Sequence, residues 1–313
     1  MRQERNICQQ PERSKISLAE RIGQHVLIDE GVLELLGQQV ISGVNVIEIG
    51  PGPGNLTAKL AEKASRVVGI EIDKRFKPAL DELRAKFKNV EIVYQDALAV
   101  DFERYVTEDR SAGEWQVVAN PPFHISEPLL KKIAGLPIEN AVLVVGDQLA
   151  RTMQVDDPAS GKFTKISLLS QGFFHIQSLA EISKKSFCPP PRTEATAVVL
   201  TPREKVEVRS NPGVSIVRKL FLSEHQNSTV AKVINEAIGE QKESSHKTNR
   251  RKVKQELREY VARGGFPEEG KYPGRVFTEN WLDLPDRILS SPFSKLDNQD
   301  IRALAKALKD RFG

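Results

Sequence analysis

The chain has 313 residues, of which 39% are hydrophobic and 28% charged, with a formal net charge of +4. That balance is ordinary for a globular protein, and the length suits two domains. No apolar run approaches the ~20 residues that cross a bilayer, and the polar start Met1-Arg2-Gln3-Glu4-Arg5 leads into no apolar export signal, so a cytoplasmic chain is expected. Cys8 and Cys188 are the only cysteines. Their spacing suits no metal, none is expected, and two free thiols fit a reducing compartment. The charge is unevenly spread: 22 basic and 16 acidic residues lie from Arg203 onward, and the preceding part is slightly negative. A basic C-terminal region points to phosphate-bearing partners or to a plain solvated surface.

Residues 1–15 lack periodicity and are expected to form a flexible arm. Asp29 has the place of an N-cap for a helix carrying Val32, Leu33, Leu35 and Leu36. Val44–Ile49 is an apolar run of the kind that forms a buried parallel strand. It ends in the turn Gly50-Pro51-Gly52-Pro53-Gly54, and a helix is predicted over Asn55–Ala64. Gly50, Gly52 and Gly54 let backbone approach a ligand without a Cβ in the way. A glycine-rich turn suits a dinucleotide as well. Two details favour S-adenosylmethionine. Pro51 and Pro53 remove N–H donors that a pyrophosphate would use. Glu48 places a carboxylate just before the turn, where it suits a cation.

Val67–Ile72 is the second predicted strand. Glu71 near its end stands where an acid can bond both ribose hydroxyls. An amphipathic helix over Arg75–Phe87 and a strand over Val90–Tyr94 follow, and Asp96 then has the place of an acceptor for the cofactor's adenine amino group or of a turn residue. Residues 101–114 are expected as a surface segment. Trp115–Ala119 is the fourth strand, closed by Asn120-Pro121-Pro122-Phe123. A proline pair there stops the ladder and fixes the backbone, which a packing role alone rarely needs.

Helices are predicted over Glu127–Ile133, Asp147–Met153 and Thr164–Phe174, and strands over Ala141–Val145, Leu179–Ser183 and Ala195–Leu200. The last two strands flank the basic loop Lys184 to Arg192. Its Phe187, Pro189 and Arg192 are candidate nucleic-acid contacts, and a stiff hairpin connection is the alternative. Beyond Pro202 the pattern changes to helices: Val214–Leu222, Val230–Ile238 and Asp300–Phe312. Lys242–Lys254 between them is polar and basic.

Together these residues resemble the ribosomal RNA adenine dimethyltransferase family. That family comprises small-subunit dimethylases, erythromycin-resistance methylases and mitochondrial transcription factors of the same lineage. The features that carry the likeness are Gly23-Gln24 with Leu27 and Asp29, Glu48 to Thr57, Glu71-Ile72-Asp73, Asp96-Ala97, Asn120 to Phe123, and Phe187 to Arg192 with Val198–Pro202. They span roughly residues 16–202. The resemblance implies a Rossmann-like methyltransferase domain over 16–202 with a mainly parallel seven-stranded α/β sheet. A small, basic, helical RNA-binding domain over 203–313 follows. It also implies cofactor contacts from His25, Leu27, Gly50, Glu71, Asp96 and Asn120.

Three positions depart from the family. His25-Val26 stands where Asn-Phe is usual. Pro121 and Phe123 replace an aliphatic residue and a tyrosine. Phe221-Leu222-Ser223-Glu224-His225-Gln226-Asn227 lacks the usual Arg-Arg-Lys patch. The expected activity is S-adenosylmethionine-dependent N6,N6-dimethylation of adenine in small-subunit ribosomal RNA, by a monomer acting on RNA or a pre-ribosomal subunit. Asn120 and the Pro121 carbonyl would hold the amino group, Pro122 would stiffen the loop, and Phe123 would stack on the base. Large-subunit RNA or DNA as the target, and a nucleic-acid-binding factor on a methyltransferase fold, stay open at this point.

Overall fold

The computed structural model describes residues 24–108, 113–221, 225, 227–238, 282 and 284–312. The expected arm at 1–15 and the basic stretch Lys242–Lys254 lie outside the described residues. In chain order the elements are β1 (Val26–Leu27), α1 (Glu30–Gln38), β2 (Asn45–Ile49), α2 (Asn55–Ala61), β3 (Arg66–Ile70), α3 (Lys77–Lys86) and β4 (Val90–Val93). They continue with α4 (Phe102–Glu108), β5 (Trp115–Ala119), α5 (Ser126–Ile133), β6 (Asn140–Gly146), α6 (Asp147–Met153), α7 (Lys165–Phe173), β7 (Phe174–Ile182), β8 (Phe187–Cys188) and β9 (Ala195–Pro202). Helices over Lys205–Ser210, Pro212–Phe221, 230–238, Asp286–Ser290 and Asn298–Phe312 follow.

The chain divides into two compact units. Residues up to Gln154, with Phe174–Pro202, form the first; Val155–Phe173 and the chain from Arg203 onward form the second. The first holds a seven-stranded sheet in the order β4-β3-β2-β5-β6-β9-β7. The pairings from β4 to β6 are parallel, and β9 runs antiparallel to both β6 and β7. This is the mainly parallel seven-stranded α/β sheet that the family resemblance implies. β2 and β5 are buried along their whole length, as strands of a parallel sheet covered on both faces are, and the buried set includes the polar residues Asn45, Glu48 and Gln116. Asp29 caps α1 by accepting from the amides of Gly31 and Val32.

Two expectations are corrected here. The supposed surface segment at 101–114 contains α4, because Phe102 and Val106, four residues apart, are both buried on one helical face. The stretch 155–173 groups with the second unit although the sequence reading placed it in the first. Phe163 and Leu168 join an apolar cluster there with Ile216, Leu220, Val230, Ile288, Ile301 and Leu304. The helix Asn298–Phe312 contributes Ile301, Leu304, Ala305 and Leu308 from one face, which is the amphipathic spacing read from its sequence.

Candidate functional site

β2 and β5 are neighbours in register, with Ile49 opposite Ala119. Their loops therefore leave the sheet side by side: a Cβ placed on Gly50 would stand 3.8 Å from the Asn120 carbonyl oxygen. From β2 the chain runs outward to β3 and β4, then returns across β2 to β5. The crevice between β2 and β5 is thus the point where strand order reverses, the usual ligand position in an open α/β sheet.

A cavity of about 320 Å³ opens there, within the range of small-molecule sites. His25, Leu27, Glu48, Gly50, Gly52, Glu71, Asp96, Asn120 and Pro122 all line it. Gly54, Pro121 and Phe123 do not. Gly50, Gly52 and Gly54 have φ of 73°, 56° and 90°, a left-handed backbone that favours glycine. The Gly52 amide donates to Glu71 Oε2 at 2.8 Å, and the Asp73 amide donates to Oε1 at 2.7 Å. The turn is thereby tied to the end of β3. Gly54 instead caps α2, and a Cβ on it would meet Leu83 Cδ1 at 2.7 Å.

Glu48 is 1% exposed, and its Oε2 has no hydrogen-bond partner among the described residues. Burial pushes its carboxyl up to about 8, eased by Thr57 close by and raised further by Glu71. Thr57 Oγ1 lies near it without forming a geometrically sound hydrogen bond. Glu71 is also pushed upward by burial, opposed by the amides of Asp73 and Gly52. Two buried acids beside one cavity, one with a bare oxygen, form a cradle for a cation.

Asp96 Oδ1 accepts from the Leu98 amide at 2.8 Å, and Oδ2 has no donor among the described residues. Apolar walls complete the cavity: Ile72, Leu98, Ile125 and Phe76. Ile72 is 64% exposed, unusual for a large aliphatic residue directly after a strand. Sequence reasoning missed these walls. The signal for Ile72 was present, since an apolar residue sits immediately after the strand-end acid Glu71.

On the target side, Asn120 Nδ2 donates to the His25 carbonyl at 3.2 Å. A carbonyl only accepts, so this bond fixes which way the amide faces and leaves Oδ1 uncommitted. The His25 ring bonds through Nδ1 to the Pro189 carbonyl at 2.7 Å. Its centroid lies 6.3 Å from that of Phe123. Phe123 is half-buried and packs beside Gly146. At the cavity edge, Gln24 donates to Asp73, and Arg75 bonds both. The Arg75 guanidinium holds the Asp73 carboxyl at about 2, with Gln24 contributing.

The loop at 184–192 differs from its sequence reading. Phe187 is 2% exposed, pairs with Leu27 between β8 and β1, and belongs to the apolar core. It is therefore not a surface aromatic for nucleic acid. Pro189 is half-buried, with its carbonyl spent on His25, and Arg192 is exposed. Cys188 is disulfide-bonded. The expectation of a free thiol at Cys188 is corrected by that. No described helix is long and apolar enough to cross a membrane, and the described residues hold no cluster suited to a metal ion.

A reversed parallel sheet with a glycine turn, two buried acids and an Asn-Pro-Pro-Phe loop at one crevice defines a Rossmann-like methyltransferase. Comparison with known proteins narrows this. The model of the ribosomal RNA adenine dimethylase family matches residues 17–262, and the chain belongs to that family. It is 34% identical to a probable ribosomal RNA small subunit methyltransferase A of Methanopyrus kandleri, over 67% of this chain and 73% of that one. It is 29% identical to ribosomal RNA small subunit methyltransferase A of Bacillus thuringiensis, over 87% and 86%. In fold it is similar to a dimethyladenosine transferase from Plasmodium falciparum, with a TM-score of 0.54 at 21% identity, covering 92% of this chain and 98% of that one. The 23S rRNA methyltransferase ErmE has a TM-score of 0.51 at 18% identity, covering 90% and 99%.

Proposed function

We propose that this chain is an S-adenosylmethionine-dependent methyltransferase that converts adenine to N6,N6-dimethyladenine in small-subunit ribosomal RNA. The observation that carries the reading is the Asn120 amide, oriented by the His25 carbonyl, with Oδ1 uncommitted at the rim of an acid-lined cavity.

The residues present suit the donor. Glu48 offers an unpartnered buried oxygen to a cationic group. Glu71 keeps lone pairs for vicinal hydroxyls after its two backbone bonds. Asp96 Oδ2 suits an adenine amino group, with Ile72, Leu98 and Ile125 as apolar walls for the ring. When bound, S-adenosylmethionine supplies an electrophilic methyl group on sulfur.

The protein's own part is orientation and charge. The N6 lone pair of adenine is delocalised into the ring, so the amino group must be turned. In the first transfer Asn120 Oδ1 accepts one N6 hydrogen and the Pro121 carbonyl accepts the other, which favours a pyramidal nitrogen and stabilises its developing positive charge. Each transfer releases one N6 proton to water, so in the second a single hydrogen is left to hold. Pro121 and Pro122 keep this pair of acceptors rigid, so little reorganisation is needed at reaction. Phe123 takes the face of the unstacked base. The basic region from Arg203 onward, with exposed Arg192, Lys184 and Lys185, supports engagement of the RNA backbone. On this reading the chain works as a monomer on ribosomal RNA or a pre-ribosomal subunit in the cytoplasm.

The test is methyl transfer from tritiated S-adenosylmethionine to intact 30S subunits, 50S subunits and duplex DNA side by side, followed by mass analysis of the labelled nucleoside. Label in 30S RNA as N6,N6-dimethyladenosine is expected. Label confined to 50S RNA or DNA would overturn the target, and no label on any nucleic acid would overturn the enzyme reading.

A further inference from the structure

We propose that His25 is a positioning residue for the target-base loop: its imidazole, anchored on the Pro189 carbonyl, holds its own backbone carbonyl where it orients the Asn120 amide. This deepens the methyltransferase reading and rests on it. It differs from the family-implied role of His25 as a cofactor contact.

Three contacts meet at this one residue. Nδ1 is 2.7 Å from the Pro189 carbonyl, the backbone oxygen takes Asn120 Nδ2 at 3.2 Å, and the ring lies 6.3 Å from Phe123 at an interplanar angle of 43°. They join segments that are 95 and 164 residues apart in sequence. The β1–β8 pairing fixes the level of the contact, with Val26 opposite Cys188 and Leu27 opposite Phe187. Phe187 is buried, so the strand carrying Pro189 is anchored in the core. The clasp therefore runs from the core through Pro189 and His25 to Asn120.

The chemistry follows from acceptor counting. Pro189 offers only a carbonyl, so His25 Nδ1 must carry the proton, and in neutral imidazole Nε2 is bare. His25 backbone oxygen is likewise an acceptor, so it receives the amide NH₂ of Asn120 and keeps Oδ1 outward. A side chain that could not donate to Pro189 would release this end of the clasp. The Asn120 oxygen and the Phe123 ring would then sample several positions, and the reaction would lose alignment before donor binding suffered.

Two variants separate the roles. His25→Phe keeps a ring beside Phe123 without a donor; His25→Asn restores a donor without the ring. Each is compared with the wild-type chain for kcat and KM on 30S subunits and for S-adenosylhomocysteine affinity by calorimetry. Nitrogen-15 NMR of the wild type, near about pH 8 where imidazole is ordinarily neutral, reports the tautomer. The expected results are a protonated Nδ1, a kcat about 10- to 100-fold lower in His25→Phe with a clearly smaller loss of S-adenosylhomocysteine affinity, and partial recovery of kcat in His25→Asn. A proton on Nε2, an unchanged kcat in His25→Phe, or a loss of S-adenosylhomocysteine affinity in step with kcat would overturn the proposal. A wild-type chain that binds S-adenosylhomocysteine yet methylates no RNA would sink the functional reading alone. The tautomer would then still decide the clasp.

Discussion

Ile49 and Ala119 face each other as the last paired residues of two adjacent parallel strands. Everything the site does depends on that registration, because the next residue on each strand is Gly50 and Asn120. The glycine side builds a ligand cradle, and the asparagine side builds a pair of oxygen acceptors. Removing the Asn120 side chain should leave the cradle intact. Asn120→Ala is expected to lower kcat by roughly 100-fold or more, the usual cost of losing one preorganised electrostatic partner. S-adenosylhomocysteine binding should change by only a few-fold. Single-turnover methyl transfer with 30S subunits, alongside calorimetry, checks both; near-normal transfer would remove Asn120 from the chemistry.

Glu48 should leave a signature in stability against pH. In the folded chain its carboxyl is pushed to about 8 from an ordinary 4.5, chiefly by burial. Between those values the folded state holds a proton that the unfolded chain has released. Stability contributed by this group therefore falls as pH rises through that window, by up to roughly 1.4 kcal/mol per pH unit, and levels off above it. Glu48→Gln removes the titration and keeps the shape. The difference in unfolding free energy between wild type and variant should thus turn against the wild type from about pH 5 to about pH 8. Denaturant titrations without ligand across that range measure it, and parallel curves for the two proteins would show that Glu48 stays ionised.

Local patterning carried the sheet, and most of the cradle could be read for the same reason. Mainly apolar runs such as Val46–Ile49, interrupted only by Glu48, and Val117–Ala119 end in residues that punctuate the backbone, so strand ends and loop chemistry are visible together. The features that escaped depend on contacts distant in sequence. β8 is two residues long and exists because it pairs with β1, so Phe187 looked like part of a surface loop. The tie from Asn120 to His25 crosses 95 residues and uses a backbone oxygen, which no side-chain pattern reveals. Residues 155–173 precede β7 in sequence, yet Phe163 and Leu168 bury with residues from beyond Arg203.

Phe187 and Arg192, five residues apart, should fail in opposite ways. Phe187 is buried among Leu27, Leu33, Ile182 and their neighbours. Phe187→Ala is expected to cost about 3–5 kcal/mol of stability, the range for a buried phenylalanine. Arg192 is exposed, and Arg192→Ala should leave the unfolding midpoint in place. Its effect belongs in RNA affinity and in a shallower dependence of that affinity on salt, by about one phosphate contact. Thermal unfolding and filter binding at several salt concentrations separate the two. An unfolding midpoint unmoved by Phe187→Ala would contradict its place in the core.

Gly52 and Gly54 sit two residues apart in the same turn, and alanine at each should produce different losses. At Gly54 the backbone has φ of 90°, and a Cβ would meet Leu83 Cδ1 at 2.7 Å. The left-handed backbone costs an L-residue roughly 1–2 kcal/mol before any packing change. Gly54 caps α2 and does not line the cavity, so Gly54→Ala is expected to lower the unfolding midpoint more than it weakens ligand binding. At Gly52 φ is 56° and a Cβ would have open space around it. Gly52 lines the cavity. Gly52→Ala should therefore weaken S-adenosylhomocysteine binding by more than its modest loss of stability explains. Paired calorimetry and thermal unfolding of the two variants read this out. The assignment of Gly52 to the cradle fails if its alanine variant binds S-adenosylhomocysteine as tightly as wild type.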